Sequence, residues 1–260
     1  MHKTAERFQG SADRYAGFRP DYPERLLNAL SRTIIEEPPA AGGVVVDVGS
    51  GTGIFTRQLR TLLPGGTPIV GVEPASDMRH KAEDSADVSS GITYLDGLAE
   101  KLPVETESAR AVVAATAAHW FDRAAFYNEA HRVLMPSGVL AIIEYVRDDE
   151  RSPAAAAVVK FLAQHGGPRA YVRPDYDAEL RQAAGFGAFA HVIERVTLQL
   201  TPEVFLGLAL SSSHARAAID RLGEKTAEAM LLQRVDQLIS DEGYIPYGYI
   251  FQMFTVRRNR

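Results

Sequence analysis

The hydrophobic positions divide the chain into short apolar runs that alternate with stretches of helical period. Val44–Val48 is β-branched except for Asp47, and it is short enough to be a strand buried on both faces. Ile54, Phe55, Leu59, Leu62 and Leu63 then recur at helical spacing, so residues 44–63 read as strand, glycine loop and helix. Upstream, Leu26, Leu27, Leu30 and Ile34 mark an amphipathic helix over Glu24–Ile35, and residues 38–43 break the chain before the strand.

Downstream the pattern predicts a second strand at 68–73, a helix at 76–86, a third strand at Ile92–Leu95 and a fourth at 111–116. A helix at 123–134, a turn at 136–138 and a fifth strand at 139–145 follow. Such alternation argues for right-handed βαβ units in a doubly wound α/β sheet. Beyond Tyr145 the rhythm loosens. Residues 147–176 carry an alanine-rich helix (153–164) and a Gly166-Gly167-Pro168 break, and read as a helical cap inserted after the fifth strand. A helix at 177–184, a sixth strand at 191–200, a helix opened by Thr201-Pro202-Glu203, one long helix over 215–239 and a last strand at 247–256 complete the chain. The expected division is an N-terminal arm or lid over 1–35 and one domain over 36–260, with its cap at about 147–176. In the arm, Phe8, Tyr15, Phe18, Arg19 and Tyr22 either pack on the main domain or close over a ligand.

With 260 residues, 46% hydrophobic and 23% charged, the composition is that of an ordinary globular chain with ample length for a core. A formal charge of −5 gives no general attraction to nucleic acid or to an anionic membrane. The absence of cysteine excludes disulfides, thiolate nucleophiles and zinc–thiolate sites. The polar first residues and the lack of any apolar run of about 18 residues argue against a signal segment or a membrane span, so a cytoplasmic address is expected. Nothing in the sequence specifies the oligomeric state.

Gly49, Gly51 and Gly53 let the backbone approach a ligand, and the helix that follows favours negative charge at its start. The loop is Gly-x-Gly-x-Gly rather than the Gly-x-Gly-x-x-Gly of dinucleotide enzymes. Glu73, at the end of the second strand, stands where a carboxylate accepts from ribose hydroxyls. Asp96 adds a polar group at the end of the third strand. Asp47, ahead of the loop, suits an ammonium or sulfonium better than a pyrophosphate. Together these groups fit a nucleoside with a cationic tail.

On these residues the chain resembles the class I S-adenosylmethionine (SAM) dependent methyltransferases from about residue 40 to 146. Val45-Asp47-Gly49-Ser50-Gly51-Thr52-Gly53 is similar to their first motif, Glu73 to the ribose-binding acid, and Asp96-Gly97-Leu98-Ala99 to the segment beside adenine. Arg132–Leu140 is similar to their helix, turn and fifth strand. Tyr15…Arg19-Pro20-Asp21-Tyr22-Pro23 and Ala118-His119-Trp120-Phe121-Asp122 resemble the small-molecule branch that includes trans-aconitate and ubiquinone-type methyltransferases. The resemblance implies a Rossmann-like seven-stranded sheet with an antiparallel last strand, SAM as cofactor and a small-molecule acceptor. One departure is Ser108-Ala109-Arg110, where the family often has an acid before the fourth strand. The Asn/Asp-Pro-Pro-Tyr segment of base-methylating enzymes is replaced by Thr116-Ala117-Ala118-His119, which agrees with the acidic charge in arguing against nucleic acid.

Methyl transfer from a sulfonium is an in-line displacement that needs alignment, exclusion of water and removal of a proton, with no metal. His119 is a candidate general base or a holder of its loop. Glu144 is a candidate base or hydrogen-bonded scaffold, and Tyr22 is the third candidate at the reacting end. Trp120 is expected as a wall beside the adenine. Arg173, Arg169 and His165 could hold an anionic substrate or form a solvated face, and His214 and Arg216 could line the same cavity. Tyr244, Tyr247 and Tyr249 are expected in the core or at its rim. A chain rich in alanine, arginine and glycine fits a secondary-metabolite intermediate as acceptor. The rivals are a SAM-binding enzyme of cyclisation, elimination or hydrolysis, and a non-catalytic SAM-binding protein; an NAD-dependent oxidoreductase ranks last.

Overall fold

The computed structural model describes residues 20–35, 42–87, 91–166 and 173–260. Phe8, Tyr15, Phe18 and Arg19 of the arm, and Arg169 of the cap, lie outside the described residues. The elements run α1 (Glu24–Ile35), β1 (Val44–Val48), α2 (Ile54–Leu62), β2 (Ile69–Val72), α3 (Ser76–Asp84), β3 (Ile92–Leu95) and β4 (Ala109–Ala115). They continue with α4 (Arg123–Val133), β5 (Leu134–Arg147), α5 (Pro153–His165), α6 (Tyr176–Gln182), β6 (Phe186–Leu200), α7 (Pro202–Leu210), α8 (Ser213–Leu222), α9 (Glu224–Val235) and β7 (Ile245–Arg258).

Seven strands form one sheet in the order β3-β2-β1-β4-β5-β7-β6. The neighbours from β3 to β5 pair in parallel, whereas β7 runs antiparallel to both β5 and β6. This is the Rossmann-like, seven-stranded arrangement expected from the sequence. Alternate side chains of each central strand enter opposite cores, which is why these strands read as continuous apolar runs. Val45, Ala111, Val113, Ala141 and Ile143 pack under α1, α2, α5 and α7 to α9, while Val46, Val48, Val112, Leu140 and Ile142 pack under α4 and α6. The second face is pinned by Glu179 of α6, which accepts from Arg123 Nε at 2.7 Å, Arg123 Nη2 at 2.9 Å and the Tyr127 hydroxyl at 2.8 Å.

Two local expectations are corrected. The predicted turn at 136–138 does not separate helix from strand. β5 already begins at Leu134, which pairs with Ala109, and the register then jumps so that Ala111 meets Val139. The surplus residues bulge out at Ser137, whose φ is +66°. The single helix expected over 215–239 is two helices parted at Gly223, with a 3-10 turn at Asp236–Leu238. Gly223 has φ +81°, which no interior helical residue adopts, and its N–H closes α8 on the Ile219 carbonyl at 2.8 Å. The apolar period runs unbroken across that glycine because α8 and α9 feed the same core.

The helical cover therefore has two sources. α5 follows β5, whereas α7, α8 and α9 come from the segment between β6 and β7, and the four pack together on one face of the sheet. Ser152 ties this cover to the sheet: its hydroxyl caps α5 by accepting from Ala155 N–H at 3.2 Å, and accepts from Gly248 N–H of β7 at 3.0 Å. Ser152→Ala strands both buried donors and should lower stability by about 2 kcal/mol, read as a shift in the urea midpoint at unchanged slope. A shift no larger than that of an exposed serine would deny the cap this role.

Candidate active site

β1 ends in the glycine loop, and the loop is shaped by what surrounds it. Gly49 N–H and Ser50 N–H both donate to the Val72 carbonyl, at 2.8 and 3.1 Å, which folds the loop over the end of β2. Gly49 has φ +72°, and a Cβ there would stand 2.6 Å from that of Ala117. Gly53, at φ +75°, lies against the Tyr94 hydroxyl, leaving no room for a side chain. Gly51, at φ +55°, differs from both, because nothing lies within 4 Å of the position of its Cβ. The loop is thus packed at its two ends and open at its crest.

Glu73 faces that crest. Its Oε2 accepts from Gly51 N–H at 3.0 Å and its Oε1 from Ala75 N–H at 2.9 Å. The side chain is 8% exposed, and burial pushes its carboxyl above the ordinary value against the pull of those two N–H groups. Each carboxylate oxygen retains a second lone pair for a ribose hydroxyl. Arg79 of α3 joins the two acidic strand ends, donating from Nη1 to the Glu73 carbonyl at 2.7 Å and to Asp96 at 3.3 Å. Asp96 itself is 74% exposed. Beside it, Gly97 is tight against Pro103 and Val72, and Leu98 is left 52% exposed, a large apolar side chain at the open edge of the sheet.

Asp47 lies beneath the loop with 1% exposure, and its Oδ2 accepts from the Thr56 hydroxyl of α2 at 2.6 Å. Burial, assisted by the nearby charge of Glu73, pushes its carboxyl up to about 7. Thr56 was not singled out from the sequence; the signal for it is a fully buried polar residue in the first turn of the helix that Asp47 precedes. Ser50 Oγ is buried with no hydrogen-bond partner among the described residues. An orphaned hydroxyl, an open glycine crest, a half-satisfied carboxylate and an exposed leucine together fit a nucleoside: a ribose at Glu73, a flat base at Leu98 and a polar tail near Ser50 and Asp47.

At the acceptor end the candidates part company. The Tyr22 hydroxyl is 2.7 Å from Thr116 Oγ1, and its ring packs edge-on against Phe55, Tyr145 and Phe251. Thr116, with φ +53°, follows β4. Glu144 precedes Tyr145 on β5 and so points to the opposite face. There it is paired with Arg173, whose Nε donates to Oε1 at 3.1 Å and whose Nη2 makes a closer contact with the same oxygen. His119 sits in a 3-10 turn at Ala118–Trp120, its ring 4.9 Å from that of Trp120. Glu144 bonds to neither Tyr22 nor His119, so these three do not form one catalytic group. His165 meets Arg221 at 3.1 Å on the outer side of the cover, and Arg216 pairs with Asp220 along α8.

Residues 46–142, which span β1 to β5 with the glycine loop, Glu73 and the 96–99 segment, match the family model described as a methyltransferase domain. These residues form a methyltransferase domain. An uncharacterized methyltransferase of Mycobacterium tuberculosis is 29% identical over 236 residues, covering 90% of this chain and 85% of the relative. In fold, this methyltransferase resembles a candidate type II methyltransferase from Anaeromyxobacter dehalogenans, with a TM-score of 0.67 and 21% identity over 94% of this chain and 98% of the other. It also resembles phosphoethanolamine N-methyltransferase 2 of Haemonchus contortus, solved with S-adenosyl-L-methionine, with a TM-score of 0.54 and 17% identity over 96% of this chain and 57% of the other. No described helix of the methyltransferase is long and apolar enough to cross a membrane.

Proposed function

We propose that this methyltransferase holds SAM across the glycine loop and the ends of β2 and β3, and methylates a small-molecule acceptor under the helical cover. The observation that carries the reading is the bond from Gly51 N–H to Glu73, which sets a carboxylate with spare lone pairs beside an open glycine crest. Bound SAM supplies a methyl group on a positively charged sulfur. Glu73 accepts from the ribose hydroxyls, Leu98 and Trp120 flank the base, Gly97 keeps the backbone close, and Asp47 offsets the positive charge of the methionine end. Tyr22 and Thr116 fix the acceptor wall on one face of β5.

A small acceptor is supported by the net charge of −5 and by aromatic lining at the acceptor end. His119 remains the candidate for removing a proton. Glu144, occupied by Arg173, acts as an ionic tie to the residues that precede α6.

The test is to incubate the protein with SAM labelled in its methyl group and a bacterial extract, then separate small molecules from protein, DNA and RNA. Label should enter the small-molecule fraction only; label in a macromolecular fraction overturns the small-acceptor reading. Tyr22→Phe should then leave affinity for S-adenosylhomocysteine unchanged and lower acceptor turnover by about fivefold, the effect of one lost hydrogen bond.

A further inference from the structure

Arg147, the last residue of β5, differs from the arginines that meet a glutamate. It is partly buried and lies on the face of the sheet covered by α5 and α7 to α9. Its Nε donates to the Tyr247 hydroxyl at 2.8 Å, and no carboxylate among the described residues stands within ion-pair distance of it. Elsewhere, Arg123, Arg132, Arg173 and Arg258 each meet a glutamate. Arg60 and Arg257 spend terminal nitrogens on backbone carbonyls. Among the described residues Arg147 makes one bond of the five its guanidinium offers, and the acceptor is a phenol hydroxyl. Neither terminal nitrogen of Arg147 is among the buried polar atoms left without a partner, so an anionic ligand gains a charge-assisted pair with a guanidinium that no described carboxylate neutralises.

The surroundings give the ligand a shape. Tyr249 lies opposite Arg147 in the register with β7, and its ring is 5.1 Å from that of Tyr247 and 5.3 Å from that of Tyr145. Tyr145 in turn is 6.3 Å from Tyr22, the ring bonded to Thr116. Tyr247 and Tyr249 are buried, whereas Tyr145 and Tyr22 are partly exposed, so an apolar track leads from the guanidinium to the acceptor wall.

We propose that Arg147 anchors a carboxylate on the methyl acceptor, with the rest of that molecule lying along Tyr145 toward Tyr22. The proposal rests on the reading of this region as the acceptor site. The planar fork matches a carboxylate through two parallel N–H bonds, which an uncharged amide of the same shape cannot accept. Arg147 is a binding residue in this scheme: it fixes which end of the acceptor faces the cofactor site.

The experiment uses the full chain saturated with S-adenosylhomocysteine and a set of matched carboxylic acids and their primary amides, aromatic and aliphatic, at constant ionic strength. Dissociation constants are measured by calorimetry. At least one acid should bind about 10-fold or more tightly than its amide, and Arg147→Met should erase that preference without changing affinity for S-adenosylhomocysteine. Arg147→Lys should retain part of the preference, and Tyr247→Phe should reduce it, which separates loss of the anchor from loss of folding. Acids no better than amides throughout the set, or a preference that survives Arg147→Met, overturns the proposal. Failure of the protein to bind S-adenosylhomocysteine is a different result, which counts against the cofactor reading and leaves the acid–amide comparison to be made on the unliganded chain.

Discussion

Glu73→Ala should weaken S-adenosylhomocysteine binding by about 100-fold or more while leaving the melting transition intact. In the proposed complex, two ribose hydroxyls donate to one ionised group, and hydrogen bonds to charged groups are worth about 1.5–3 kcal/mol each. The same carboxylate bonds Gly51 and Ala75, so its removal also frees the crest of the loop. Stability is spared because the variant no longer buries a carboxylate whose proton affinity burial has already raised. Glu73→Gln keeps one acceptor and should lose about 10-fold. Calorimetric titration measures both. Binding within threefold of wild type in Glu73→Ala would sink the assignment of ribose to this residue.

Asp47→Asn should make the ligand-free protein more stable than wild type above pH 7, by a margin that shrinks steadily as the pH falls to 4.5. The folded carboxyl holds its proton up to about pH 7, whereas the unfolded chain releases it near 3.8. The folded state therefore binds more protons across that window, and the stability from Asp47 is complete below about pH 4 and lost as pH rises to about 7. The full difference is roughly 4 kcal/mol, an upper figure for a buried acid that keeps its bond to Thr56. Burial of Glu73 acts in the same direction. Glu129, drawn down by Arg132, acts in the opposite sense at lower pH, where its contribution is lost as the solution is acidified. Urea midpoints of wild type and variant from pH 4.5 to 8.5 isolate Asp47. A difference constant across that range would mean that Asp47 is ionised throughout. If Asp47 faces the cationic end of the ligand, binding near pH 6.5 should also release a proton, seen as a dependence of binding heat on the ionisation heat of the buffer.

The central parallel strands were legible because they are buried on both faces and announce themselves as apolar runs, as Val44–Val48 does with the bounds its composition predicts; Ile92–Leu95, at the sheet edge with only Tyr94 buried, was marked by its β-branched and aromatic residues instead. The antiparallel half was less so. β6 alternates exposed and half-buried residues along an edge of the sheet, and its first five residues, 186–190, lack a strand pattern of their own. The long-helix error came from periodicity outweighing Gly223. In the candidate site, the glycine loop and the acidic strand ends stood out in the sequence, since backbone approach restricts residue type strongly, and the fold brings Gly51 and Glu73 into hydrogen-bond contact. The acceptor end could not, because its arrangement depends on which face of β5 each residue takes. Glu144 reads in the sequence as base or hydrogen-bonded scaffold and Arg173 as anion holder or solvated face, and the fold pairs the two with each other. Arg147 carried no signal, because its meaning lies in the partner it lacks.

The position of β7 has a consequence for how the chain assembles. β6 has one strand neighbour, and it is β7. Until residues 245–258 leave the ribosome, β6 has nothing in the sheet to pair with, and Ser152 lacks the Gly248 amide that ties α5 to the sheet. The glycine loop, β2 and β4 can dock much earlier, from contacts close in sequence. β1, β2 and β4 can therefore dock before β6 has its partner, and the late insertion of β7 between β5 and β6 is the step on which chaperone dependence and premature termination are expected to act.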